Sequence, residues 1–176
     1  MNKIFDLGDL LFDHNEQDNI RFYQKERTNW DGFLNQTLYA PIYYSYYFNC
    51  FQNEILKGKT TNVKDLSFEI LWNNNLVGIF PIKLITSENY HKIAALEGHL
   101  LPVLYKKGIP IKICKQIDSI LIKKLVKYSE QFQNIKLSFL DQIVSEQSLT
   151  NWHKLLLKNS FKCHIQRESF VNLSWD

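Results

Sequence analysis

Residues 66–85 read LSFEILWNNNLVGIFPIKLI and predict a β-hairpin. Large apolar side chains stand at every second position of 66–72, and a second apolar run covers 76–85, as expected of two strands. Three asparagines at 73–75 separate the runs, and asparagine tolerates the positive φ of a tight hairpin turn. Gly78 and Pro81 interrupt the second strand, which predicts a bulge or a sheet edge there.

A long amphipathic helix is predicted at 111–132, after Gly108 and Pro110. Its apolar face comprises Ile113, Ile117, Ile120, Leu121, Leu125, Tyr128 and Phe132. The opposite face is rich in lysine, which we interpret as a solvated surface. A nucleic-acid or acidic-lipid surface is the alternative, but this face lacks interleaved aromatic residues and includes Glu130. Strands at 91–97 and 100–105 precede the helix, and a strand at 135–140 follows it.

The flanking segments complete the predicted order. Residues 1–19 are interpreted as an N-terminal extension, 19–25 as a strand, the segment around Trp30 as a short helix and 59–65 as a polar loop. A helix at 41–57 is expected to bury an apolar face. That face comprises Ile42, Tyr46, Tyr47, Cys50, Phe51 and Ile55. We interpret the tyrosines at 43–47 as core packing, with a substrate groove as the alternative. A helix at 146–159 and a strand at 161–173 follow.

The composition is that of a soluble globular protein, with 45% hydrophobic and 22% charged residues among 176. This length predicts a single domain, 1–176. The 21 basic and 18 acidic residues are spread along the chain, which argues against nucleic-acid binding. Cys50, Cys114 and Cys163 have no metal-site spacing, so we expect reduced thiols and no metal. Acids near the N-terminus argue against a signal peptide, no run is long enough to span a membrane, and a cytoplasmic protein is expected.

The predicted order resembles the GNAT superfamily of N-acetyltransferases, and most of all one half of a FemAB-like acyl/aminoacyltransferase. The hairpin is similar to the family's second and third strands, where a pair like Val77-Gly78 follows the turn and a proline like Pro81 comes soon after. Ser160-Phe161 stands where family members have a Gly-Phe pair at the end of a helix. The resemblance implies an α+β fold (an α/β sandwich), with a mixed, mostly antiparallel central sheet flanked by helices.

The resemblance also implies a donor site for acyl-CoA, such as acetyl-CoA. In the family, a glycine-rich loop before the long helix binds the pyrophosphate through backbone N–H groups. The matching residues here are Lys106, Lys107 and Gly108, followed by Ile109 and Pro110. Proline has no N–H to donate. The alternative is that Gly108 makes a simple turn and Pro110 starts the helix.

The resemblance implies Glu97 and His99 as candidates for the general base that accepts a proton from an amine. They are two residues apart, so an extended strand would point both side chains the same way; a plain polar turn is the alternative. Leu156 occupies the position where many members have an acidic tyrosine.

We therefore expect transfer of an acyl or aminoacyl group to a small-molecule amine, such as a cell-envelope or sugar precursor, with a homodimer or a second GNAT-like unit as partner. A non-catalytic GNAT-like binding module is the alternative.

Overall fold

The computed structural model describes residues 7–12, 19–24, 30–38, 41–57, 62–86, 91–95, 99–131, 137–139 and 151–162. Within these ranges a 3-10 helix, Ile42–Tyr44, precedes α3. The other elements, in chain order, are α1 (Leu7–Phe12), β1 (Ile20–Gln24), α2 (Trp30–Leu34), α3 (Tyr46–Lys57), β2 (Asn62–Asp65), β3 (Phe68–Trp72), β4 (Asn75–Phe80), β5 (Lys83–Thr86), β6 (His91–Ala94), β7 (Leu104–Tyr105), α4 (Ile111–Ser129) and α5 (Asn151–Lys158). The predictions for Glu97, Cys163 and most of the strand at 161–173 lie outside the described residues.

The described strands form two antiparallel sheets. One has the order β1-β3-β4-β7 and the other has the order β2-β5-β6. Only Pro81 and Ile82 separate β4 from β5, so one continuous segment contributes to both sheets. A single parallel bridge joins Leu100 to Phe139. Helices combined with mostly antiparallel sheets confirm the α+β prediction.

The asparagine turn joins β3 to β4 as predicted. Asn73 and Asn74 have φ values of 50° and 63°, the left-handed conformation that a two-residue hairpin turn requires. The pairing of β3 with β4 shifts register between Ile70 and Leu71, which confirms a bulge in this hairpin. Opposite it, a Cβ on Gly78 would lie 3.1 Å from Val103 Cγ1 and 3.3 Å from the Leu104 carbonyl oxygen. Glycine at 78 therefore allows the close approach of the 103–105 segment.

The four-stranded sheet has helices on both faces. Phe68 and Phe80 belong to a buried cluster that includes Leu121 and Leu125 of α4. Ile79, the neighbour of Phe80 in β4, belongs to a second cluster with side chains of α2 and the 3-10 helix. Adjacent strand residues point to opposite faces, so the two clusters lie on opposite sides of the sheet.

Two segments are more ordered than the sequence predicts. Leu7 and Leu11 of α1 are fully buried, so this part of the predicted extension contributes to the core. Residues 62–65, predicted as a polar loop, form β2 and pair with β5. Their composition, Asn-Val-Lys-Asp, carries little apolar signal because the strand is only half-buried.

The helix predicted at 41–57 forms as the 3-10 helix followed by α3, but its predicted buried face is wrong. Tyr47, Phe51 and Ile55 are exposed, as is Ile42 in the 3-10 helix. In contrast, α4 confirms the predicted faces, since Ile117, Leu121 and Leu125 are buried and its lysines are mostly exposed.

The end of α5 forms a Schellman motif. Phe161 N donates to Leu156 O at 3.1 Å, and Ser160 N donates to Leu157 O at 3.1 Å. Ser160 has a φ of 65°, at the position where this motif prefers glycine. The helix therefore ends where the sequence predicts, with a serine in the left-handed conformation.

Ser160→Gly is expected to raise the free energy of unfolding by about 1 kcal/mol, because glycine adopts positive φ without a steric penalty. Urea unfolding followed by circular dichroism measures the change. Lys158→Gly is the matched control: it places glycine inside α5 and should lower stability by about 1 kcal/mol. Equal destabilisation by both glycines would contradict the motif.

Candidate functional site

His99 lies at the point where the chain segments before and after α4 meet. Its carbonyl oxygen accepts a hydrogen bond from Ala95 N at 2.7 Å, which holds His99 close to the end of β6. The next residue, Leu100, donates its N–H to the Ser138 carbonyl oxygen at 2.7 Å and forms the parallel bridge with Phe139. The backbone therefore fixes His99 on both sides. Glu97, the other predicted base, lies outside the described residues.

Ser138 contacts His99, and nothing in the sequence indicates this pairing. Its Oγ lies 2.7 Å from His99 Nδ1, and both side chains are half-buried. When Nδ1 carries the proton, it donates to Ser138 Oγ and leaves the lone pair on Nε2. This tautomer gives His99 the form of a general base, with Ser138 orienting its ring.

Phe139 follows Ser138 in the chain and belongs to the hydrophobic core on the other side of this segment, because adjacent strand residues point to opposite faces. Phe139, next to Ser138, packs edge-on against Trp152 at 5.4 Å and against Phe161 at 5.3 Å between ring centroids. Trp152 is 3% exposed, and no acceptor within the described ranges lies within hydrogen-bond distance of its Nε1. Phe139, Trp152 and Phe161 therefore pack with Leu100 in the hydrophobic core rather than beside the imidazole.

The strand path between His99 and the predicted donor loop is irregular. Leu100 N donates to Ser138, whereas Lys106 N donates to Val77 O in β4 at 2.9 Å. Residues an even number apart in a regular strand direct their N–H groups to the same neighbour. Residues 101–103, between these two contacts, lie outside any strand, so the path from His99 to the loop is not one regular strand.

Backbone donors in the predicted phosphate loop are largely engaged. Lys106 N bonds to β4, and Lys107 N donates to Gln36 O at 2.8 Å. Pro110 has no N–H. Of positions 106–110, only Gly108 and Ile109 keep an N–H outside these contacts. The Lys106 and Lys107 side chains are exposed and extend the basic character of the loop.

Gly108 makes a left-handed turn before α4. Its φ is 81°, and no heavy atom lies within 4 Å of the position of a Cβ. Pro110 then begins the helix: Ile113 N and Cys114 N both donate to its carbonyl oxygen, at 2.9 and 3.2 Å. The turn alone accounts for the glycine, and the open space beside it leaves room for a ligand.

A buried polar network lies behind this loop. The Tyr105 hydroxyl donates to Asp118 Oδ1 at 2.6 Å and lies 3.0 Å from the Cys114 carbonyl oxygen. Asn151 Nδ2 donates to Asp118 Oδ2 at 2.6 Å. Asp118 is 4% exposed, so its carboxylate joins β7, α4 and α5 from inside the protein.

The network changes the acidity of its neighbours. Burial, followed by the charge of Asp118 and the hydrogen bond to it, raises the pKa of Tyr105 well above its ordinary value. Burial and the Asp118 charge raise the pKa of the Cys114 thiol to about 11. Both groups therefore stay protonated at neutral pH, which favours a structural role over a nucleophilic one.

A surface cleft of about 370 Å³ lies away from these residues. Gly8, Asp9 and Phe12 of α1 line it, together with Gln24, Lys64 and Leu66. It contains neither a histidine nor a cysteine, and none of the predicted site residues. The cleft therefore does not coincide with the predicted site residues.

No helix in the described part of the chain is long and apolar enough to span a bilayer. The same ranges contain no cluster of three or more histidine, cysteine or acidic side chains arranged to hold a metal ion. Leu156 is buried in the core and carries no ionisable group.

The structure thus brings His99 to Ser138 and places Lys106, Lys107 and Gly108 at the end of β7. Comparison with protein-family models and with characterised proteins found no match to this chain.

Proposed function

We propose that this chain is an acyltransferase-like domain that transfers an acyl or aminoacyl group from acyl-CoA to an amine. The observation that carries the proposal is the 2.7 Å contact between His99 Nδ1 and Ser138 Oγ. The contact lies at the parallel bridge between the segments that precede and follow α4. A histidine oriented at one ring nitrogen can accept a proton at the other.

The reaction would run as follows. The amine nitrogen attacks the thioester carbonyl carbon, an N–C bond forms and the C–S bond breaks. The proton lost by the amine goes to His99 Nε2. The thiolate leaves with the C–S electron pair and takes its proton from water, because Leu156 has none to give. His99 then releases the proton it accepted to the resulting hydroxide, which restores the neutral imidazole.

The chain order supports the same proposal. A hairpin with an asparagine turn, the 104–105 strand, α4 and a segment parallel to the one before it follow one another as in the GNAT superfamily. Ser160 adopts positive φ where that superfamily has glycine. In this proposal the donor phosphates lie near Lys106, Lys107 and Gly108, and the acyl group lies towards His99.

The acceptor is a small-molecule amine, such as a cell-envelope or sugar precursor. The partner is a second copy or a second GNAT-like unit. Cys50 and Cys114 are free thiols, which suits a cytoplasmic location.

A non-catalytic binding module is the second candidate. The N–H groups of Lys106 and Lys107 are already hydrogen-bonded, and Pro110 has no N–H. The loop therefore lacks three of the backbone donors that a phosphate cradle needs, which favours the binding module. The two candidates differ in whether the loop binds acyl-CoA at all.

Acetyl-CoA is expected to stabilise the wild-type protein in a saturable manner. At a concentration about 100 times Kd, binding adds about 2.7 kcal/mol, or about 5–10 °C in melting temperature. Differential scanning fluorimetry with acetyl-CoA and with CoA measures the shift. Lys106→Glu/Lys107→Glu should reduce it strongly, because two cations near the phosphates become anions.

Lys123→Glu/Lys154→Glu is the matched control, since it makes the same charge change on exposed positions of α4 and α5. It should leave the shift intact. No shift at millimolar acetyl-CoA would reject a donor site and favour the binding module. Equal loss in both double variants would show a nonspecific charge effect.

A further inference from the structure

Helix α3 presents three large apolar residues to solvent. Tyr47 is 77% exposed, Phe51 60% and Ile55 50%, and they stand four residues apart on one side of the helix. Ile42, in the 3-10 helix just before α3, is 66% exposed. We call these four side chains the α3 stripe.

The opposite side of α3 faces the protein with polar groups. Asn49, 6% exposed, donates from Nδ2 to Asp65 Oδ2 of β2 at 3.2 Å. Asn53 Oδ1 accepts from the buried Lys83 Nζ of β5 at 2.8 Å. These hydrogen bonds join α3 to the three-stranded sheet, and Phe48 packs on a buried cluster, so Tyr47, Phe51 and Ile55 face outward.

The size of the α3 stripe fits a protein interface. With about 200 Å² for each fully exposed large side chain, the four residues present about 500 Å² of apolar surface. A standard interface takes about 800 Å² per partner, of which somewhat more than half is apolar. The stripe thus supplies the apolar share of one side of such an interface.

We infer that the α3 stripe is the contact surface between two copies of this chain. Three residues of the stripe, Tyr47, Phe51 and Ile55, stand in a row along α3. This row is complementary to itself when two copies of α3 pack antiparallel about a two-fold axis near Phe51. Tyr47 then meets Ile55 of the partner subunit, and the two Phe51 side chains meet at the axis. Such an isologous contact is the commonest way in which homodimers form.

Charge does not oppose this pairing. Helix α3 contains one acid, Glu54, and one base, Lys57, so two copies carry no net charge on the helices that meet. The whole chain carries only +3, which adds little repulsion between copies. An acidic membrane surface would need a concentration of basic residues that α3 lacks.

Sedimentation equilibrium of the full chain between about 1 and 100 μM tests the inference. The wild type is expected to have twice the chain mass of 20.9 kDa at the upper concentrations. Phe51→Glu places two carboxylates at the axis and should give a monomer at every concentration. Since Phe51 is 60% exposed, this variant should keep the wild-type circular dichroism spectrum.

Ile111→Glu is the matched control, because Ile111 is 72% exposed but lies at the start of α4. It should remain dimeric. Phe51→Cys, with the native cysteines replaced by serine, should form an intermolecular disulfide under mild oxidation. A monomeric wild type at 100 μM overturns the inference, as does a dimer that survives Phe51→Glu. A monomeric wild type that binds anionic vesicles in a flotation assay, while Phe51→Glu does not, would also overturn the inference and would indicate a membrane-binding surface.

Discussion

Asp118→Ala is expected to lower the free energy of unfolding by about 2–3 kcal/mol. The substitution leaves the Tyr105 hydroxyl and the Asn151 amide without the carboxylate to which both donate, at 2.6 Å each. An unpaired buried donor costs about 1–3 kcal/mol, and Tyr105 keeps the Cys114 carbonyl oxygen as a second acceptor. Urea unfolding at pH 7 measures the loss.

Alkaline pH gives this prediction a second readout. The unfolded Cys114 thiol ionises near its ordinary pKa of 9.0, whereas the folded pKa is about 11. Between these values the unfolded state has released a proton that the folded state still holds, so wild-type stability falls as pH rises. The raised pKa of Tyr105 acts in the same direction above about 10. Without the Asp118 charge the pKa values of Cys114 and Tyr105 both decrease. The free energy of unfolding of Asp118→Ala should therefore fall less steeply with rising pH than that of the wild type.

Tyr105→Phe is the control for the network. It removes one hydrogen bond but leaves Asp118 paired with Asn151, so it should cost less than Asp118→Ala. Ordinary surface substitutions change stability by less than about 0.5 kcal/mol. If Asp118→Ala costs no more than that, and its stability falls with alkaline pH as steeply as that of the wild type, the network does not stabilise the fold.

His99→Ala is expected to lower acyl transfer by about 10²–10⁴-fold, the usual contribution of general base catalysis. The loss should appear in kcat, because the proton leaves the amine only during the reaction. Free CoA thiol released from acetyl-CoA in the presence of D-glucosamine measures the rate. Acetyl-CoA should stabilise the variant as it does the wild type, since His99 is expected to lie away from the phosphates.

Two further variants separate the base from its support. Ser138→Ala leaves the imidazole but removes the partner of Nδ1, so it should cause a smaller loss than His99→Ala. His153→Ala removes a histidine from α5 and should retain wild-type kcat. A wild-type rate in His99→Ala would assign the proton to another group, and Glu97 would be the next candidate.

Local signals in the sequence predict much of the fold. The asparagines at 73–74 specify a hairpin turn without help from distant residues, and the period of α4 is clear over 19 residues. The amphipathic pattern of α3 was equally clear, yet it did not reveal which face lies inward. That choice depends on Asn49 meeting Asp65 and on Asn53 meeting Lys83, which are contacts between different elements.

The candidate site was predicted only in part, for the same reason. His99 was found from its place near the donor loop, but Ser138 lies 39 residues away and carries no motif. Nothing in the sequence indicates Asp118, because its partners, Tyr105 and Asn151, lie 13 and 33 residues away. The sequence showed that Pro110 removes one backbone donor, but only the structure shows where the N–H groups of Lys106 and Lys107 go.

A crystal structure grown with millimolar acetyl-CoA is the most direct test of the proposed function. The account predicts pyrophosphate beside Gly108 and the exposed Lys106 and Lys107 side chains, with the thioester carbonyl carbon directed towards His99. Acetyl-CoA bound elsewhere on the chain, or no bound ligand in crystals whose loop is open to solvent, would contradict it.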